Sequence, residues 1–326
     1  MATLSATMPS LSDVVKATGP DGKILRIAEL LEKMSHVMGF LPWQEGNLAT
    51  GHRVSVRTSN PTPTKRRLNQ RVLPTKATQD VNDEQCAILE DYSQVDKKVA
   101  DLNGNTAAYR LSQAHAHMEG MVQEFERQAF YGNSAAVQEE FDGLIPRMTA
   151  AGDTVIDAGG SGSDNSSIVL ACVSPTTIYG IYPKGGKGGI EHEDKGVVTS
   201  ETSDGLMEIY RDHWSLTSGI AVEDPRWLGA IRAIDVSTLV ADPTGATTNL
   251  FNLMIKLLHG VPKIDSPNVK PGLFMNRSLF QMLDVQAMNK TNVYLQVGGE
   301  EGNRKVTFRG IPIYVSDALT ETEAVI

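Results

Sequence analysis

The sequence has 326 residues, of which 40% are hydrophobic and 21% charged, as expected for one large globular domain or two ordinary ones. No apolar run approaches the ~20 residues that a membrane-spanning helix needs, and residues 1–20 lack the basic and apolar regions of a secretory signal. Cys86 and Cys172 form neither a metal-binding pair nor a disulfide framework, which indicates a reducing, cytoplasmic folding compartment. The net charge of -9 argues against a general nucleic-acid binder.

The first predicted element is a helix within an arm that covers residues 1–45. Asp21 can cap its start, and Gly39 and Pro42 predict its end. Apolar residues repeat at helical spacing between these limits, at Ile24, Ile27, Leu31, Met34 and Met38.

Residues 46–80 predict a long β-hairpin. Polar and apolar residues alternate over His52–Arg57, two prolines interrupt Asn60–Pro63, and Arg71–Pro74 predicts the return strand. Because an isolated two-stranded hairpin is barely stable in water, this ribbon needs a partner surface. We expect apolar ribbon residues to lose water at that surface, namely Val54, Val56 and Leu73.

The same ribbon concentrates positive charge. Residues 46–79 contain no Asp or Glu and seven cations, so the rest of the chain has a net charge of -16, that is, -9 minus +7. A basic ribbon on an acidic subunit can dock on the acidic surface of an identical neighbour. The alternatives are a solvated basic loop and a nucleic-acid-binding arm. The candidate contact residues are Arg53, Arg57, Lys65, Arg66, Arg67, Arg71 and Lys76.

A strand over Gln85–Val95 is followed by the strongest predicted helix, Thr106–Tyr131, which would be roughly 39 Å long. Asn105 or Thr106 can cap it, and Gly132–Asn133 can close it with a left-handed residue. Its apolar residues form one predicted stripe, made of Ala107, Leu111, Ala114, Met118, Val122, Phe125 and Ala129.

The remaining pattern mixes strands and helices and predicts the α+β class. Gly152–Ser167 is typical of a loop, because it is rich in Gly, Ser and Asp. Predicted strands cover Ser167–Val173, Ile178–Tyr182 and Tyr210–Val222, helices cover Thr248–Leu258 and Ser278–Met288, and a last hairpin combines Val293–Val297, Lys305–Arg309 and Ile311–Val315.

No pattern supplies a nucleophile, a base and an orienting group together. Gly159–Ser163 ends in Ser where a nucleophile elbow requires Gly, and Gly180–Gly185 lacks the Lys-Ser/Thr of a phosphate loop. His115 and His117 lie two residues apart on a helix, so they cannot share a metal. The acidic clusters 139–142 and 191–194 have no calcium-loop pattern and predict solvated loops. We therefore predict no catalytic, cofactor or metal site.

The order of segments resembles the Hong Kong 97 fold of tailed-phage major capsid proteins: an arm, a basic ribbon, a strand, one long spine helix and an α/β remainder. Phe40–Asn47 is similar to the family's junction between arm and extended loop, and Phe308–Pro312 to its Gly-x-Pro strand. Further strings that are similar to one branch of the family are Ile181–Gly185, Glu193–Gly196, Gly219–Asp224, Arg232–Asp235 and Phe274–Arg277.

The resemblance implies a domain organisation. Residues 1–45 would be the N-terminal arm, 46–80 the extended loop, 81–240 the peripheral domain with the spine helix 106–131, and 241–326 the axial domain. In the common arrangement a long stretch follows the Gly-x-Pro strand, whereas this sequence stops at Ile326. We interpret this as a permuted branch in which Ser167–Asp235 supplies the displaced peripheral strands.

The resemblance also implies the function. The chain would be a structural protein that self-assembles through pentamers and hexamers into an icosahedral capsid around double-stranded DNA. Expected partners are copies of itself, packaged DNA bound non-specifically, a portal, a decoration protein and a scaffolding protein that is separate if there is one. The expected location is the virion capsid, after assembly in the host cytoplasm. The alternative is a nucleic-acid-binding protein that uses the basic hairpin 46–80.

Overall fold

The computed structural model describes residues 36–104, 106–202, 205–262, 264, 266–288, 295–298 and 305–325. The predicted arm helix lies outside the described residues except for its last three positions. The strands in chain order are β1 Trp43–Glu45, β2 Gly51–Ser59, β3 Thr78–Gln85, β4 Ala87–Asp96, β5 Val155–Asp157, β6 Asn165–Val173, β7 Ile178–Tyr182, β8 Glu191–Thr202, β9 Gly205–Val222, β10 Leu228–Asp235, β11 Lys270–Met275, β12 Leu295–Gly298, β13 Lys305–Phe308 and β14 Ile311–Val315.

The helices are fewer and one is much longer than the rest. They are α1 Val37–Phe40, α2 Lys97–Ala100, α3 Thr106–Tyr131, α4 Val236–Ala241, α5 Leu250–Gly260 and α6 Arg277–Met288. The predicted spine helix has the bounds of α3, and the two later predicted helices correspond to α5 and α6. We keep the name spine helix for α3.

The strands form two sheets and a separate ribbon. The first sheet has the order β1-β7-β9-β4, with β8 paired to β9, and the second has the order β12-β13-β14-β11-β6-β10-β5. The ribbon consists of β2 and β3. Residues 209–215 of β9 pair with β8 on one side and with β4 on the other. We call the three strands β4, β8 and β9 the blade.

The segment Ser167–Asp235 is divided between the sheets. Strands β7, β8 and β9 join the first sheet, whereas β6 and β10 lie inside the second. The strands predicted to be the displaced peripheral strands therefore do not lie in a single sheet. For the same reason, a boundary at residue 240 does not separate the two sheets.

Strand β6 shows why the second sheet holds the molecule together. All nine of its residues are buried, because both faces of the sheet are covered. Val169, Ala171 and Val173 face a core shared with the spine helix and the first sheet. Ile168, Leu170 and Cys172 face a second core, formed with α5 and α6. The alternation of side chains along one strand thus serves two cores.

The spine helix ends where the chain must pass close to another backbone segment. The amide of Gly132 donates to the carbonyl oxygen of Gln128 at 2.8 Å, and a Cβ on Gly132 would collide with the backbone oxygen of Phe141. Gly132 does not adopt a positive φ, so the predicted left-handed closure is wrong. Close approach, and not backbone handedness, explains the glycine.

Candidate functional site

The ribbon is the element that bears the predicted contact residues. Strands β2 and β3 pair antiparallel from Gly51 opposite Gln85 to Ser59 opposite Thr78. The predicted return strand at Arg71–Pro74 is wrong, since that segment lies in the connection, residues 60–77, which we call the tip. Strand β3 contains a single apolar residue and is exposed on both faces except at Glu84, so it shows no alternation in the sequence.

A buried ion pair fixes the ribbon to the body. Glu84 is 5% exposed, and its two carboxylate oxygens accept hydrogen bonds from Arg147 at 2.7 and 2.6 Å. Arg147 also donates to the carbonyl oxygens of Gly143 and Asp142, at 3.0 and 2.9 Å. Breaking one side of such a pair would leave a buried charge without its partner. The Glu84–Arg147 ion pair therefore fixes the base of the ribbon to the body of the subunit. No sequence pattern predicts this contact, because the two residues are 63 positions apart.

Arg53 is compensated inside the ribbon. It stands opposite Asp83 on the neighbouring strand, and its guanidinium donates to both carboxylate oxygens at 2.6 and 2.7 Å. The hydrogen bonds from Arg53 lower the pKa of Asp83, and the same contact raises the pKa of Arg53. Asp83 thus balances the positive charge of Arg53, so Arg53 attracts the carboxylates of a partner subunit less strongly than the sequence predicts.

Arg57 lies farther along β2, beside a cleft of about 710 Å³ between the ribbon and the loop that follows β9. The cleft is lined on the body side by Glu223, Asp224 and Arg226. Within the described residues no ion pair joins Arg57 to these carboxylates. The structure therefore separates Arg57, near the body, from the cations at the tip.

The other five predicted cations lie on the tip: Lys65, Arg66, Arg67, Arg71 and Lys76. A tight turn forms in their midst, because the amide of Gln70 donates to the carbonyl oxygen of Arg67 at 3.2 Å and Asn69 adopts φ 66°. All five side chains are exposed, and none has a carboxylate partner among the described residues.

Apolar side chains are exposed at the same place. Leu68 is 93% exposed and Leu73 is 83% exposed, with Val72 beside them. By contrast, Val54 is buried within its own subunit, so its predicted loss of water to a partner is wrong. The tip thus combines five cations with two leucines, none of which the single chain covers. Sequence reasoning named Leu73 but not Leu68.

The acidic clusters have structural partners. Residues Glu191–Asp194 belong to β8 and not to a loop, which corrects that prediction. In the cluster 139–142, Glu140 pairs with Arg127 of the spine helix, and Asp142 accepts a hydrogen bond from the amide of Ser134. These carboxylates therefore hold the segment that follows the spine helix. His117 contacts Asp91 of β4 while His115 is exposed.

Two further properties concern only the residues that the structure describes. None of their helices is both long and apolar enough to cross a membrane. Their His, Cys, Asp and Glu side chains form no group of three or more with the geometry of a metal site. Burial raises the pKa of the Cys86 thiol, at the base of the ribbon, to about 11.

The comparisons with known proteins point in one direction. A family model described as "Major capsid protein GP7" matches residues 19–326. A chain in the structure of bacteriophage Epsilon15 is 30% identical, with 100% of this chain and 99% of that chain covered and a TM-score of 0.79. A chain of the bacteriophage JBD30 capsid is 10% identical, with 90% of this chain and 95% of that chain covered and a TM-score of 0.51. No curated protein matches the sequence significantly.

The match extends over nearly the whole chain and therefore includes the ribbon, the spine helix and both sheets. The α+β class, the Hong Kong 97-like fold and the structural, non-enzymatic role predicted from the sequence are confirmed by this family. The chain belongs to the major capsid protein GP7 family and builds the shell of a bacteriophage capsid.

Proposed function

We propose that the tip of the ribbon is the contact by which each subunit holds a neighbouring copy in the shell. The observation that carries this proposal is the exposure of five cations and two leucines at the tip of a ribbon whose base is fixed by the Glu84–Arg147 ion pair. The contact residues on the tip are five of the predicted cations, Lys65, Arg66, Arg67, Arg71 and Lys76, while the predicted Arg53 and Arg57 lie beside them on β2.

The members of this set contribute unequally. Exposed ion pairs are worth only ~0.2–1 kcal/mol each, so no single tip cation decides the contact. Full burial of a leucine side chain contributes about 1.5–3 kcal/mol, so Leu68 and Leu73 matter as much as several ion pairs together. Arg53 contributes least, because it already pairs with Asp83.

We infer the remaining assignments from the resemblance to the family. The first sheet and the spine helix form the peripheral domain, and the second sheet with α4, α5 and α6 forms the axial domain. Head-to-tail contacts close rings, so one fold makes both pentamers and hexamers. The shell encloses double-stranded DNA, which the acidic subunit contacts without base specificity.

Other partners complete the particle. A portal occupies one vertex, a decoration protein binds outside, and any scaffolding protein is a separate chain. Assembly takes place in the host cytoplasm, which suits a chain whose two cysteines are free.

The alternative is that the ribbon binds nucleic acid. Phosphate contacts require cations but gain nothing from exposed leucines, so Leu68 and Leu73 favour a protein partner. Replacing both leucines with Gln separates the two functions. Assembly is lost if the tip binds protein, whereas DNA binding and its steep salt dependence persist if the tip binds phosphate.

The direct test reverses three tip cations, Arg66→Glu, Arg67→Glu and Arg71→Glu, in one variant. We expect a folded subunit that no longer forms shells, as observed by negative-stain microscopy and sedimentation. A control with the same charge change at exposed sites elsewhere, K98E/K256E/K270E, should assemble. Normal shells from the tip variant would refute the proposal.

A further inference from the structure

Two carboxylates and one amide meet at a corner of the second sheet, where the chain leaves β10 and enters α4. Asp235 ends β10, and Asp164 ends the Gly- and Ser-rich loop 158–164 that joins β5 to β6. Asn165 begins β6 and lies opposite Asp235 in the antiparallel pairing of β6 with β10. Because side chains in register point to the same face of a sheet, the amide of Asn165 and the carboxylate of Asp235 are neighbours.

The two carboxylates each use one oxygen to cap α4. The Oδ1 atom of Asp235 accepts from the amide of Thr238 at 2.8 Å, and the Oδ2 atom of Asp164 accepts from the amide of Ser237 at 2.9 Å. The other two oxygens, Oδ1 of Asp164 and Oδ2 of Asp235, face Gly162. They lie 2.6 and 3.2 Å from the position that a Cβ on Gly162 would occupy. Since glycine has no Cβ, both oxygens face the same open point.

This pair of charges lacks a positive partner. No ion pair of the described residues includes Asp164 or Asp235. Two carboxylates that share a site repel each other, and a bound cation removes that cost. Both side chains are partly exposed, so an ion can reach them from solvent.

Asn165 gives independent evidence for a ligand at this corner. Its side chain is fully buried, and its Nδ2 atom donates to the carbonyl oxygen of Gly162 at 2.6 Å. Its Oδ1 atom has no hydrogen-bond partner among the described residues. This oxygen lies 2.6 Å from the position of a Cβ on Gly160, and the carbonyl oxygen of Ala233 lies 2.5 Å from the same position. A buried amide oxygen without a partner is costly, so its free lone pairs indicate a bound group.

The available atoms define the class of ligand. They are carboxylate, amide and backbone carbonyl oxygens, which are the ligands that hard divalent cations prefer. Calcium accepts about six to eight oxygens in flexible geometry, whereas magnesium requires a near-ideal octahedron and keeps several waters. Ligands that come from a loop, a strand start and a strand end suit the less demanding ion, with water completing its shell.

We propose that this corner of the second sheet binds a calcium ion, with Asp164 and Asp235 as anionic ligands and the amide oxygen of Asn165 as a neutral one. The ion joins the loop 158–164 to the junction of β10 and α4. It also supports the C-terminal segment, because the amide of Glu323 donates to the carbonyl oxygen of Asn165 at 3.0 Å. Its role is to stabilise the fold of the subunit, and it is independent of the tip contact.

The first test is calorimetric titration of calcium chloride into the full-length dissociated subunit after treatment with a chelator. We expect one ion per subunit and a dissociation constant of about 10⁻⁴–10⁻³ M, because only two ligands carry charge. Calcium at ten times the dissociation constant should raise the midpoint of thermal unfolding by about 2–4 °C. The same concentration of magnesium should raise it less.

The variant D164N/D235N removes both charges and keeps both caps, since Asn accepts hydrogen bonds at a helix start as well as Asp does. It should stay folded in chelator, as observed by circular dichroism, bind calcium at least tenfold more weakly and lose the shift in midpoint. The control E139Q/D153N makes the same charge change on exposed loops and should bind calcium like the wild type.

A second variant, G162A, tests the position of the ion without any change of charge. Gly162 does not adopt a positive φ, so the backbone accepts alanine, and the new methyl group occupies the point that the two carboxylates face. We expect at least a tenfold loss of calcium affinity. This variant decides the question if D164N/D235N does not fold.

Three results would overturn the proposal. A wild-type subunit without heat of binding or a shift in midpoint would mean that water alone satisfies Asn165. Calcium binding by D164N/D235N or by G162A as tight as that of the control would place the ion elsewhere. An equal or larger effect of magnesium would show that the ion is not calcium. None of these results bears on the tip contact, which is tested by assembly.

Discussion

The N-terminal half of the spine helix, residues 106–118, and its C-terminal half, residues 119–131, pack in different ways although they form one unbroken element. Phe125, Ala129 and Phe130 have no exposed surface and lie in the core that both sheets share. The ring of Phe125 lies 5.8 Å from the rings of Trp43 and Phe141. Apolar burial therefore holds the C-terminal half.

The N-terminal half combines polar contacts with fewer buried apolar residues. Tyr109 is the buried residue of this half, whereas Leu111, which the predicted stripe placed in the core, is 59% exposed. Arg110 donates to Asp212 at 2.8 Å, pairs with Asp194 at 2.7 Å and lies over the ring of Tyr210. Ala114 and Met118 of the predicted stripe do pack against the core, and the charged contacts with the blade are added to theirs.

The difference shows that a continuous helix need not be uniformly stable. Regions with few buried apolar contacts open with a lower free energy than the core, even inside one element. Since the blade is attached through the N-terminal half, the blade is the less firmly held part of the subunit. Hydrogen exchange should therefore be faster at the amides of residues 110–118 than at those of residues 121–130.

The largest expected effect comes from Phe125→Ala. Removal of a fully buried phenylalanine costs about 3–5 kcal/mol, because it combines lost transfer free energy with a cavity between both sheets and the helix. Urea denaturation of the dissociated subunit measures the change in the free energy of unfolding. A loss below about 1 kcal/mol would show that this half does not depend on apolar packing.

The second largest effect on stability is expected at the C-terminal end of the spine helix, where Tyr131 joins a buried polar network. The hydroxyl of Tyr131 donates to Glu323 at 2.6 Å, Ser167 donates to the other carboxylate oxygen, and Arg232 lies 3.6 Å away. Burial and the neighbouring Glu323 raise the pKa of Tyr131, so its hydroxyl stays protonated as a donor.

Glu323→Ala leaves several of these buried groups without a partner, and each such group costs about 1–3 kcal/mol. We expect a loss of about 2–3 kcal/mol in the free energy of unfolding. The control Glu139→Ala removes an exposed carboxylate outside this network and should change it by about 0.5 kcal/mol or less. Equal effects of the two substitutions would contradict a role for the buried network.

The sequence predicted those elements whose pattern comes from burial. Strands β6 and β7 and the C-terminal half of the spine helix are covered by core, so their apolar residues reveal them. Strands β3 and β8 are mostly exposed and polar, so no alternation distinguishes them from loops. The family could nevertheless be identified, because it depends on the order of many short motifs.

The candidate site was predictable only in part, for a related reason. A run of cations without carboxylates is visible in the sequence, and five of the seven do lie together at the tip. The pairing of Arg53 with Asp83 depends on the register of β2 with β3, which the misplaced return strand obscured. Leu68 is not predictable from the sequence, because an exposed leucine in a basic loop has no periodic partner.

A smaller effect, about 1–2 kcal/mol, is expected from Arg110→Ala, because Asp194 is half exposed and Asp212, although buried, keeps its contact with His192. The hydrogen bond from Arg110 lowers the pKa of Asp194, so the contact stabilises the fold while this carboxylate is ionised. The stabilisation is complete above the ordinary carboxylate pKa of about 4 and is lost as the pH falls through the lower value in the folded state. The difference between wild type and variant should therefore shrink in acid, and a pH-independent difference would contradict the ion pair.

The smallest effect is expected at Leu111. Replacing it with Gln keeps helix propensity almost unchanged and removes an apolar side chain that is already largely in water. The free energy of unfolding of the dissociated subunit should change by about 0.5 kcal/mol or less. Met121→Gln is the matched control on the same helix, and it should cost about 2 kcal/mol or more, because Met121 is buried and a Gln amide there would lose its water. Equal costs at the two positions would mean that the halves of the spine helix are held alike, which would contradict the contrast between them.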